Sequence, residues 1–455
     1  MASIVIGSKI FGDMFGQAEM RALFSDEKMV QLYLDVEAAL ARAQASSGII
    51  PAAAATAISE YARVENIDWD ELSRRSQIVG YPILPLVEQL SQGVAEGRGQ
   101  WCHWGATTQD IMDSADVLQI RLALDLVAAD LDAIAAALAL LAAEHAELPM
   151  AGRTHLQHAL PVSFGYKAAT WLSGIDRHRV RLQELRPRVE VVSFAGAAGT
   201  LASLGVEDGL KTQSALAQEL ELGEADITWH SIRDNFAEVS GFLALVAGSI
   251  GKIGYDIMLM MQTEVGEVLE PFVPGRGASS TMPQKRNPIA SEMMLAAAKI
   301  VREQHSAMLD AMVQDHERAS GQWQVEWQAL PTAFIIASAG LGAARETLEG
   351  LEIRPQAMRD NLNASGGLIV AEAVMMALAR HLGRQAAHDI VYDCCRKVLD
   401  GDMSLLDALT VEPRVSEIMS REQISELVDP ANYLGCAPQM TRNFLQRRSQ
   451  GNDAA

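Results

Sequence analysis

Apolar residues along this chain recur mainly at helical spacing, whereas the alternation typical of strands is nearly absent. Residues 26–46 show the helical pattern clearly, with apolar Val30 and Val36 following a polar start at Ser25. The longer runs of this kind lie at 114–147, 162–190, 233–267 and 288–314. We therefore predict an all-α protein.

The long runs predict a helical bundle. Helices near or above about 25 residues without internal breakers are typical of bundles and coiled coils. The run 233–267 is apolar on nearly every side, and such a helix is buried on every side. Because one chain cannot easily surround several helices of this kind, we expect the bundle to be shared between subunits.

The sequence gives no clear membrane span, since no run reaches the roughly 18 consecutive apolar residues that a span needs. The nearest candidate, 239–251, is flanked by Glu238 and Lys252. We interpret it as a buried helix and expect no membrane partner.

Turn-forming residues suggest where domains begin and end. They concentrate at 95–105, at 271–280 and from Pro355 to the Gly366-Gly367 pair. The predicted domains are an N-terminal helical domain at 1–110, a central helical bundle domain at 111–365 and a C-terminal helical domain at 366–455.

Composition and charge narrow the function. The chain is 49% hydrophobic and poor in aromatic residues, which favours helices over sandwiches or barrels. Its 37 Lys and Arg stand against 58 Asp and Glu, a net charge of −21. Such a surface repels phosphate backbones, so we expect no nucleic acid partner. An anionic substrate would need a local basic pocket.

The cysteines indicate whether a metal site or disulfides are expected, and the N-terminal residues indicate the expected cellular compartment. The four cysteines, Cys102, Cys394, Cys395 and Cys436, form no C-x-x-C pair, so neither a zinc site nor a disulfide scaffold is suggested. The opening residues MASIVIG lack the basic region and long apolar stretch of a secretory signal. We expect a cytoplasmic protein.

The loop at 277–288, which reads GASSTMPQKRNP, is the most informative segment for chemistry. Small residues let the backbone approach a ligand closely, and successive N–H groups can form an anion-binding concavity. Lys285 and Asn287 would add a positive charge and an amide donor. That set suits a carboxylate whose neighbouring carbon loses a proton. The alternative is an ordinary Gly/Ser surface loop that carries a lysine.

This loop resembles the signature G-S-S-x-M-P-x-K-x-N-P of the fumarase/aspartase superfamily, with Ala278 in place of a glycine. The resemblance implies that Ser279 is the catalytic base, with Ser280 beside it as a substrate-binding residue. Lys285 and Asn287 would hold and stabilise a substrate carboxylate. The family also implies a three-domain fold, a homotetramer whose active sites each use three chains, and no metal or organic cofactor.

Residues 103–110, which read HWGATTQD, resemble the family segment H-x-G-x-T-S-x-D. The resemblance implies that Thr107 and Thr108 bind a carboxylate and that His103 contacts the leaving portion. Taken alone, a Thr-Thr pair before an Asp is most often a helix cap.

Residues 152–161, which read GRTHLQHALP, resemble a third family segment. It implies substrate binding by Thr154 and Gln157 and protonation of the leaving group by His155, which an imidazole can perform near neutral pH. In eliminating members the histidine pairs with a glutamate five residues after the signature asparagine, here Glu292. The alternative is a structural histidine.

Residues 314–327 resemble the H-E-R segment of the adenylosuccinate lyase and carboxymuconate cycloisomerase branch, which makes Arg318 a substrate-binding candidate. Adenylosuccinate lyases continue with a serine and an arginine that hold a phosphate, and Trp323 and Trp327 stand at those positions. Losing both groups argues against a nucleotide substrate. The tryptophans either line the pocket or belong to the core. Two weaker similarities are 196–200, which would bring backbone near the site, and Arg233, which would brace it.

The residues and the resemblance favour a lyase that performs anti β-elimination on a small, anionic, succinyl-type polycarboxylate and releases fumarate or an analogue. The bond that we expect it to break is a C–N bond. The alternative is a 3-carboxy-cis,cis-muconate cycloisomerase, which forms a lactone within one molecule during aromatic degradation. Cycloisomerases carry tryptophan at the position of His155 and lack the acid at Glu292, whereas this sequence has both. An inactive structural homologue is a further alternative.

Overall fold

A computed structural model describes residues 4–277, 281–282, 284–318, 320–401 and 403–452 of the 455-residue chain. The chain divides into two compact units. Unit 1 comprises Met1–Leu131, Arg177–Gly251 and Met293–Ala343, and unit 2 comprises Asp132–Asp176, Lys252–Glu292 and Ala344–Ala455. The predicted three-domain division places its boundaries elsewhere and stays a prediction.

Helices dominate the described residues. The four long runs that the apolar pattern predicts at 114–147, 162–190, 233–267 and 288–314 are each a long helix, whereas the pattern did not predict the long helix at Gln322–Glu349. In chain order the α-helices are α1 Ala18–Leu23, α2 Asp26–Ser46, α3 Ala52–Tyr61, α4 Trp69–Val79, α5 Ile83–Gly93, α6 Thr108–Glu144, α7 Phe164–Val189, α8 Gly205–Leu220, α9 Asp234–Met261, α10 Ile289–Ala311, α11 Gln322–Glu349, α12 Pro355–Asn363, α13 Ala371–Leu382, α14 Arg384–Leu399, α15 Leu405–Thr410, α16 Pro413–Ser416, α17 Arg421–Leu427 and α18 Ala437–Asn452. One-turn 3₁₀ helices lie at Val5–Gly7, Gly12–Met14, Val64–Asn66, Arg98–Trp101, Leu368–Val370 and Pro430–Asn432.

Two small two-stranded antiparallel sheets lie in the described part of unit 2, and the first of them, a hairpin, was not expected from the sequence. β1 (Pro149–Thr154) pairs with β2 (Gln157–Ser163), and β3 (Val268–Leu269) pairs with β4 (Glu352–Ile353). A bulge lies between Ala151 and Arg153. A Cβ atom at Gly152 would lie 2.6 Å from the Leu160 carbonyl oxygen, so this close approach requires glycine.

The core of unit 1 forms around α2. The helix begins where the sequence predicts, because the Ser25 hydroxyl accepts the Lys28 N–H at 3.2 Å and acidic residues fill the first turn. Its buried face includes Leu34 and Leu40. These pack in one cluster with residues of α3, α5, α6 and α8. Unit 1 therefore holds the start of α6 on a rigid base.

The core of unit 2 lies among its C-terminal helices. Leu378 of α13, Ile390 of α14 and Leu405 of α15 are buried in one cluster with residues of α16 and α17. A smaller cluster joins Ala151 of β1 to Leu362 of α12 and to the 3₁₀ turn at Leu368–Val370. This smaller cluster fixes the base of the hairpin formed by β1 and β2.

Three helices, α6, α9 and α11, are long and apolar enough to cross a membrane by length and composition alone. The bent pair Pro355–Asn363 and Leu368–Leu382 passes the same test together. The criterion of consecutive apolar residues did not pick these helices out because single polar residues interrupt their runs. Half of the most apolar window is buried in α6 and in α9, and 67% in α11. The expectation of no membrane partner stays a prediction.

Candidate active site

The start of α6 brings hydroxyl groups and a guanidinium together in unit 1. Thr107 lies one residue before the helix and Thr108 is its first residue. Nη1 of Arg318 donates to the Thr107 hydroxyl oxygen at 3.1 Å, and Nη2 donates to the Ala197 carbonyl oxygen at 2.9 Å. The Nε–H of Arg318 is buried and has no partner among the described residues. A helix N-terminus beside a guanidinium favours an anion.

Asp110 fixes this corner of unit 1. Its Oδ1 accepts hydrogen bonds from the Ala195 N–H at 2.8 Å and from Nε2 of His230 at 2.7 Å. Its Oδ2 accepts the N–H groups of Gly196 and Thr107, both at 2.9 Å. Asp110 therefore takes part in the cap of α6, whereas the capping interpretation of the Thr-Thr pair itself stays a prediction. The same carboxylate also holds the loop after α7 against the start of α6.

His103 is held by a buried carboxylate. Its backbone adopts the left-handed conformation, with φ 56°. Its Nδ1 lies 2.6 Å from Oε1 of Glu37, and its N–H donates to Oε2 at 3.1 Å. Burial by itself lowers the pKa of His103, but the charge of Glu37 and the hydrogen bond to it outweigh burial, so the pKa is raised. His103 therefore tends to carry a proton and a positive charge.

Arg233 braces the interior of unit 1, and the expectation that it braces the active site stays a prediction. Its guanidinium donates to Asp113 at 2.7 and 3.0 Å and to Glu326 at 2.6 to 3.2 Å. The rings of Trp229 and Phe236 lie 5.0 and 4.6 Å from its central carbon. Burial lowers the pKa of Arg233, and the two carboxylates raise it by more. The arginine thus stays charged and holds α6 and α11 at fixed positions.

The two tryptophans, Trp323 and Trp327, differ in burial. Trp323 is 2% exposed and belongs to the core cluster of unit 1. Its ring lies 5.1 Å from that of Trp327 and 5.8 Å from that of Tyr81. Trp327 is partly buried and lines a cavity. Among the described residues neither indole N–H has a hydrogen-bond partner. The core interpretation fits Trp323, and substrate binding by either residue stays a prediction.

The hairpin of β1 and β2 carries Thr154, His155 and Gln157 at its exposed tip. His155 and Leu156 form the two-residue turn, both with positive φ, 51° and 62°. Leu156 is 73% exposed. The turn thus presents an imidazole and an apolar side chain outward from unit 2.

The base of that hairpin is tied down by a buried acid. Glu267 is fully buried and accepts two hydrogen bonds from Arg153, at 2.7 and 2.9 Å. Asn361 donates to the same carboxylate at 2.9 Å. A bidentate pair of this kind fixes orientation as well as position. The exposed tip therefore stands on a rigid base.

The signature loop is described only in part, because Ser279 and Ser280 lie outside the described residues. Lys285 is exposed. The Asn287 side chain donates to the Gly277 carbonyl oxygen at 3.0 Å, and its N–H donates to the same oxygen at 3.2 Å. Asn287 therefore joins the two ends of the loop.

Glu292 lies in the first turn of α10 and is exposed. The helix start is fixed by Glu270, which accepts the Ser291 N–H at 2.8 Å and the Ser291 hydroxyl at 2.7 Å. The described part of the chain contains no hydrogen bond between Glu292 and His155. Neither side chain is enclosed by unit 2.

Sequence reasoning missed four acids that position the candidate residues. Glu37 was detectable as a charged residue within the apolar VEAALA stretch of α2. Glu267 and Glu270, in the segment GEVLE, were detectable as charged residues beside apolar ones. Asp110 was noted only as the last residue of the motif at 103–110, because most of its partners lie far along the chain. Among the described residues no group of three His, Cys, Asp or Glu could hold a metal ion. The four acids are Glu37, Asp110, Glu267 and Glu270.

Family comparisons cover most of the chain. The sequence model of the family described as Lyase matches residues 15–302, and that described as Adenylosuccinate lyase C-terminus matches residues 367–444. The first match alone spans more than half of the chain. The two together include every candidate residue except those between residues 303 and 366.

Three known relatives carry different names. The chain is 48% identical to trans-aconitate decarboxylase 1 of Mycosarcoma maydis, over 96% of this chain and 88% of that protein. It is 47% identical to a 3-carboxy-cis,cis-muconate cycloisomerase of Pseudomonas aeruginosa, over 96% and 95%. It is 37% identical to an N-acetyl-S-(2-succino)cysteine lyase of Dickeya dadantii, over 98% of each.

Solved structures agree with the fold. The crystal structure of fumarate lyase from Mesorhizobium sp. BNC1 matches with a TM-score of 0.89 and 52% identity, over 95% of this chain and 98% of that one. The structure of 3-carboxy-cis,cis-muconate lactonizing enzyme from Pseudomonas putida matches with a TM-score of 0.93 and 42% identity, over 97% and 99%. The chain belongs to the fumarase/aspartase superfamily of lyases, in the branch of the carboxymuconate cycloisomerases and adenylosuccinate lyases.

Proposed function

We propose that this enzyme performs reversible anti β-elimination on a succinyl-type polycarboxylate and releases fumarate or an analogue. The observation that carries the proposal is the corner of unit 1 at which a guanidinium meets the N-terminus of α6. Arg318 is hydrogen-bonded to Thr107 at the N-terminus of α6 in a chain whose net charge is −21. A local basic site in an acidic protein is what binding a polyanion requires.

Carboxylate binding follows from the donors at that corner. The Thr108 N–H, at the first residue of α6, has no intrahelical acceptor, as at any helix N-terminus. Arg318 has a buried Nε–H without a partner among the described residues, and the raised pKa of His103 favours a positive imidazolium. These donors are fixed before substrate arrives, so little reorganisation opposes binding.

The chemistry uses the residues that unit 2 supplies. Ser279 removes the proton from the carbon next to a carboxylate, and the electron pair moves into that carboxylate to give the aci-form. Lys285 and Asn287 stabilise the added charge. The electron pair of the aci-form then forms the carbon–carbon double bond as the bond to the leaving group breaks. His155 donates a proton to the leaving atom. Glu292 orients His155 and supports its imidazolium.

The exposed hairpin tip supports a site completed by other copies of the chain. We propose a homotetramer in which three chains build each active site. Leu156 is 73% exposed beside His155, and a partner that covers this side chain would remove apolar surface from water. The half-buried apolar windows of α6 and α9 fit the same arrangement.

The second candidate is lactone formation from a muconate. The 47% identical relative named as a cycloisomerase and the loss of a phosphate clamp at Trp323 and Trp327 favour it. An intramolecular carboxylate addition needs no separate acid for a departing group, whereas elimination often does. Retention of both His155 and Glu292 therefore places elimination first.

The test is an ultraviolet assay of the purified enzyme on matched substrates. One arm supplies fumarate with a panel of amines and thiols, and the reverse arm supplies N- and S-substituted succinates. Two further arms supply 3-carboxy-cis,cis-muconate and trans-aconitate. Turnover in the fumarate or succinate arms that Ser279→Ala abolishes supports the proposal. Serine-dependent turnover of muconate alone selects the cycloisomerase, and of trans-aconitate alone a decarboxylase; either result overturns elimination.

A further inference from the structure

A cavity in unit 1 has a lining unlike that of the carboxylate corner. Its volume is about 390 Å³, which is within the range of small-molecule sites. Residues of α2, α6 and α11 form most of its wall. Among the described residues that line it, none is Lys, Arg or His. The cavity therefore lacks the charges that a polycarboxylate needs.

Acidic side chains reach this cavity from three helices. They are Asp26 of α2, Asp116 of α6 and Glu326 of α11. Glu326 shares Arg233 with Asp113, so one positive charge serves two carboxylates there. Asp116 is partly buried and forms no hydrogen bond or ion pair with the described residues. The cavity wall thus carries an excess of acceptor groups.

An unpaired hydroxyl also faces the cavity. Tyr33 lines it, is only 2% exposed, and forms no hydrogen bond with the described residues. A buried tyrosine hydroxyl usually has a partner. Gln119 lines the same wall, and its Nε2 donates to the Leu23 carbonyl oxygen at 2.5 Å, which leaves its Oε1 as an acceptor. These groups are arranged for a donor that the chain itself does not supply.

The rest of the wall is aromatic and aliphatic. Phe24, Phe236 and Trp327 line the cavity beside the acids. Aromatic faces attract a cation when carboxylates lie close by, and they also cover an apolar body. Since the described residues hold no group suited to a metal ion, an organic ion fits this wall better than an inorganic one.

We propose that this cavity binds a small organic monocation, an ammonium on an aromatic or branched apolar body. The ammonium lies beside Asp116 and Tyr33, and the body packs against Phe236 and Trp327. The site has the opposite charge preference from the corner at Arg318. Its occupant does not depend on which reaction the enzyme performs.

The probe is benzylammonium, titrated calorimetrically into the full-length protein, with benzyl alcohol as the uncharged counterpart. We expect one benzylammonium per chain and an affinity at least about tenfold above that of benzyl alcohol, because a charge-assisted contact contributes about 1.4 kcal/mol or more. Equal affinities would mean a merely apolar cavity and would overturn the proposal. So would the absence of benzylammonium binding.

Variants locate the probe. Asp116→Asn should weaken benzylammonium at least about tenfold, whereas Asp70→Asn, which changes an exposed acid of α4, should leave its affinity unchanged. Tyr33→Phe removes only the unpaired hydroxyl and serves as a second variant if Asp116→Asn does not fold; we expect it to weaken binding about threefold. Unchanged affinity in whichever of these variants folds overturns the assignment.

A competition separates the cavity from the substrate site. In Ser279→Ala protein, saturating fumarate should leave benzylammonium binding intact, because the two ligands occupy different sites. Displacement by fumarate would assign the probe to the active site and overturn the proposal. The readout is binding heat and not turnover, so failure of the proposed reaction does not affect the outcome.

Discussion

The carboxylate corner of unit 1 and the hairpin tip of unit 2 hold their functional groups in opposite ways. At the corner, buried acids of the same unit fix each group: Glu37 holds His103, and Asp110 holds the backbone beside Thr107. At the tip, His155 is exposed on a two-residue turn, and only the base of the hairpin is fixed, through Arg153 and Glu267.

This difference suggests a division of labour. A binding site that must recognise an anion benefits from donors fixed in advance, and one unit of the chain provides them. An acid that must reach a leaving group benefits from projection into a neighbour's site. Changes at the tip should therefore affect turnover without affecting stability, and changes inside unit 1 should affect stability first.

The largest expected effect is on turnover at the tip. His155→Asn should lower kcat by about 10²- to 10⁴-fold, the usual contribution of a general acid, with little change in KM. Because His155 is exposed, the free energy of unfolding should stay within about 0.5 kcal/mol of the wild-type value. Steady-state kinetics measure the loss of kcat, and urea unfolding measures the free energy of unfolding. His158→Asn, two residues beyond the turn on the same hairpin, is the control. Equal losses of kcat in both variants would show that the hairpin has only a structural role and that His155 is not the general acid.

The next effect is on stability inside unit 1. Arg233→Met leaves Asp113 and Glu326 buried without a counter-ion and should cost about 3–5 kcal/mol of unfolding free energy. Arg188→Met, which removes an exposed pair with Glu238, should lower the free energy of unfolding far less than Arg233→Met does. Urea unfolding of both variants compares them. Similar costs would mean that the buried network does not organise unit 1 and that the contrast between the two regions is wrong.

The fold was largely predictable because its main signal is periodic. The predicted run at 233–267 became Asp234–Met261, and the one at 162–190 became Phe164–Val189. The hairpin was not predictable by the same means. Its strands are short, a bulge at Gly152 interrupts the alternation, and its turn uses His155 and Leu156 in place of the usual glycine or asparagine.

Within the site, the sequence indicated side-chain chemistry better than it indicated support. Arg318 and Thr107 were both candidates from motifs, and the structure brings them together although 211 residues separate them. Glu37 and Glu267 were missed, since a buried acid inside an apolar stretch gives no local sign of the partner it will meet. Ser279 lies outside the described residues, so its role as base stays a prediction.

A moderate effect on stability is expected at Asp116, an acid of unit 1 that has no hydrogen-bond or ion-pair partner among the described residues. Burial and the charge of Asp113 raise the pKa of Asp116 well above its ordinary value; Glu326 adds to this and Arg233 opposes it. The raised pKa favours the protonated carboxyl, so its stabilising effect is complete below about pH 4 and is lost as pH rises. Asn cannot ionise, so Asp116→Asn should be more stable than wild type by about 1–3 kcal/mol at pH 8 and no different near pH 4.

Urea unfolding from pH 4 to 8 measures this difference between Asp116→Asn and wild type. Asp70→Asn is again the control, because its side chain is exposed and should show no such dependence on pH. A stability difference that stays constant with pH would show that Asp116 is ionised throughout.

The smallest expected effect concerns the charge that Glu37 maintains at the carboxylate corner. His103 has a raised pKa because the charge of Glu37 and the hydrogen bond to it outweigh burial, and Glu37→Gln removes the charge and leaves only a neutral amide oxygen as acceptor. The imidazolium, and the help it gives to a bound carboxylate, is lost as pH rises through the pKa of His103, so the loss should begin at lower pH in the variant. We expect the upper limb of the pH profile of kcat/KM to move to lower pH in the variant. A profile that keeps its upper limb would mean that His103 binds substrate as a neutral donor, and the corner would then depend on Arg318 and the start of α6 alone.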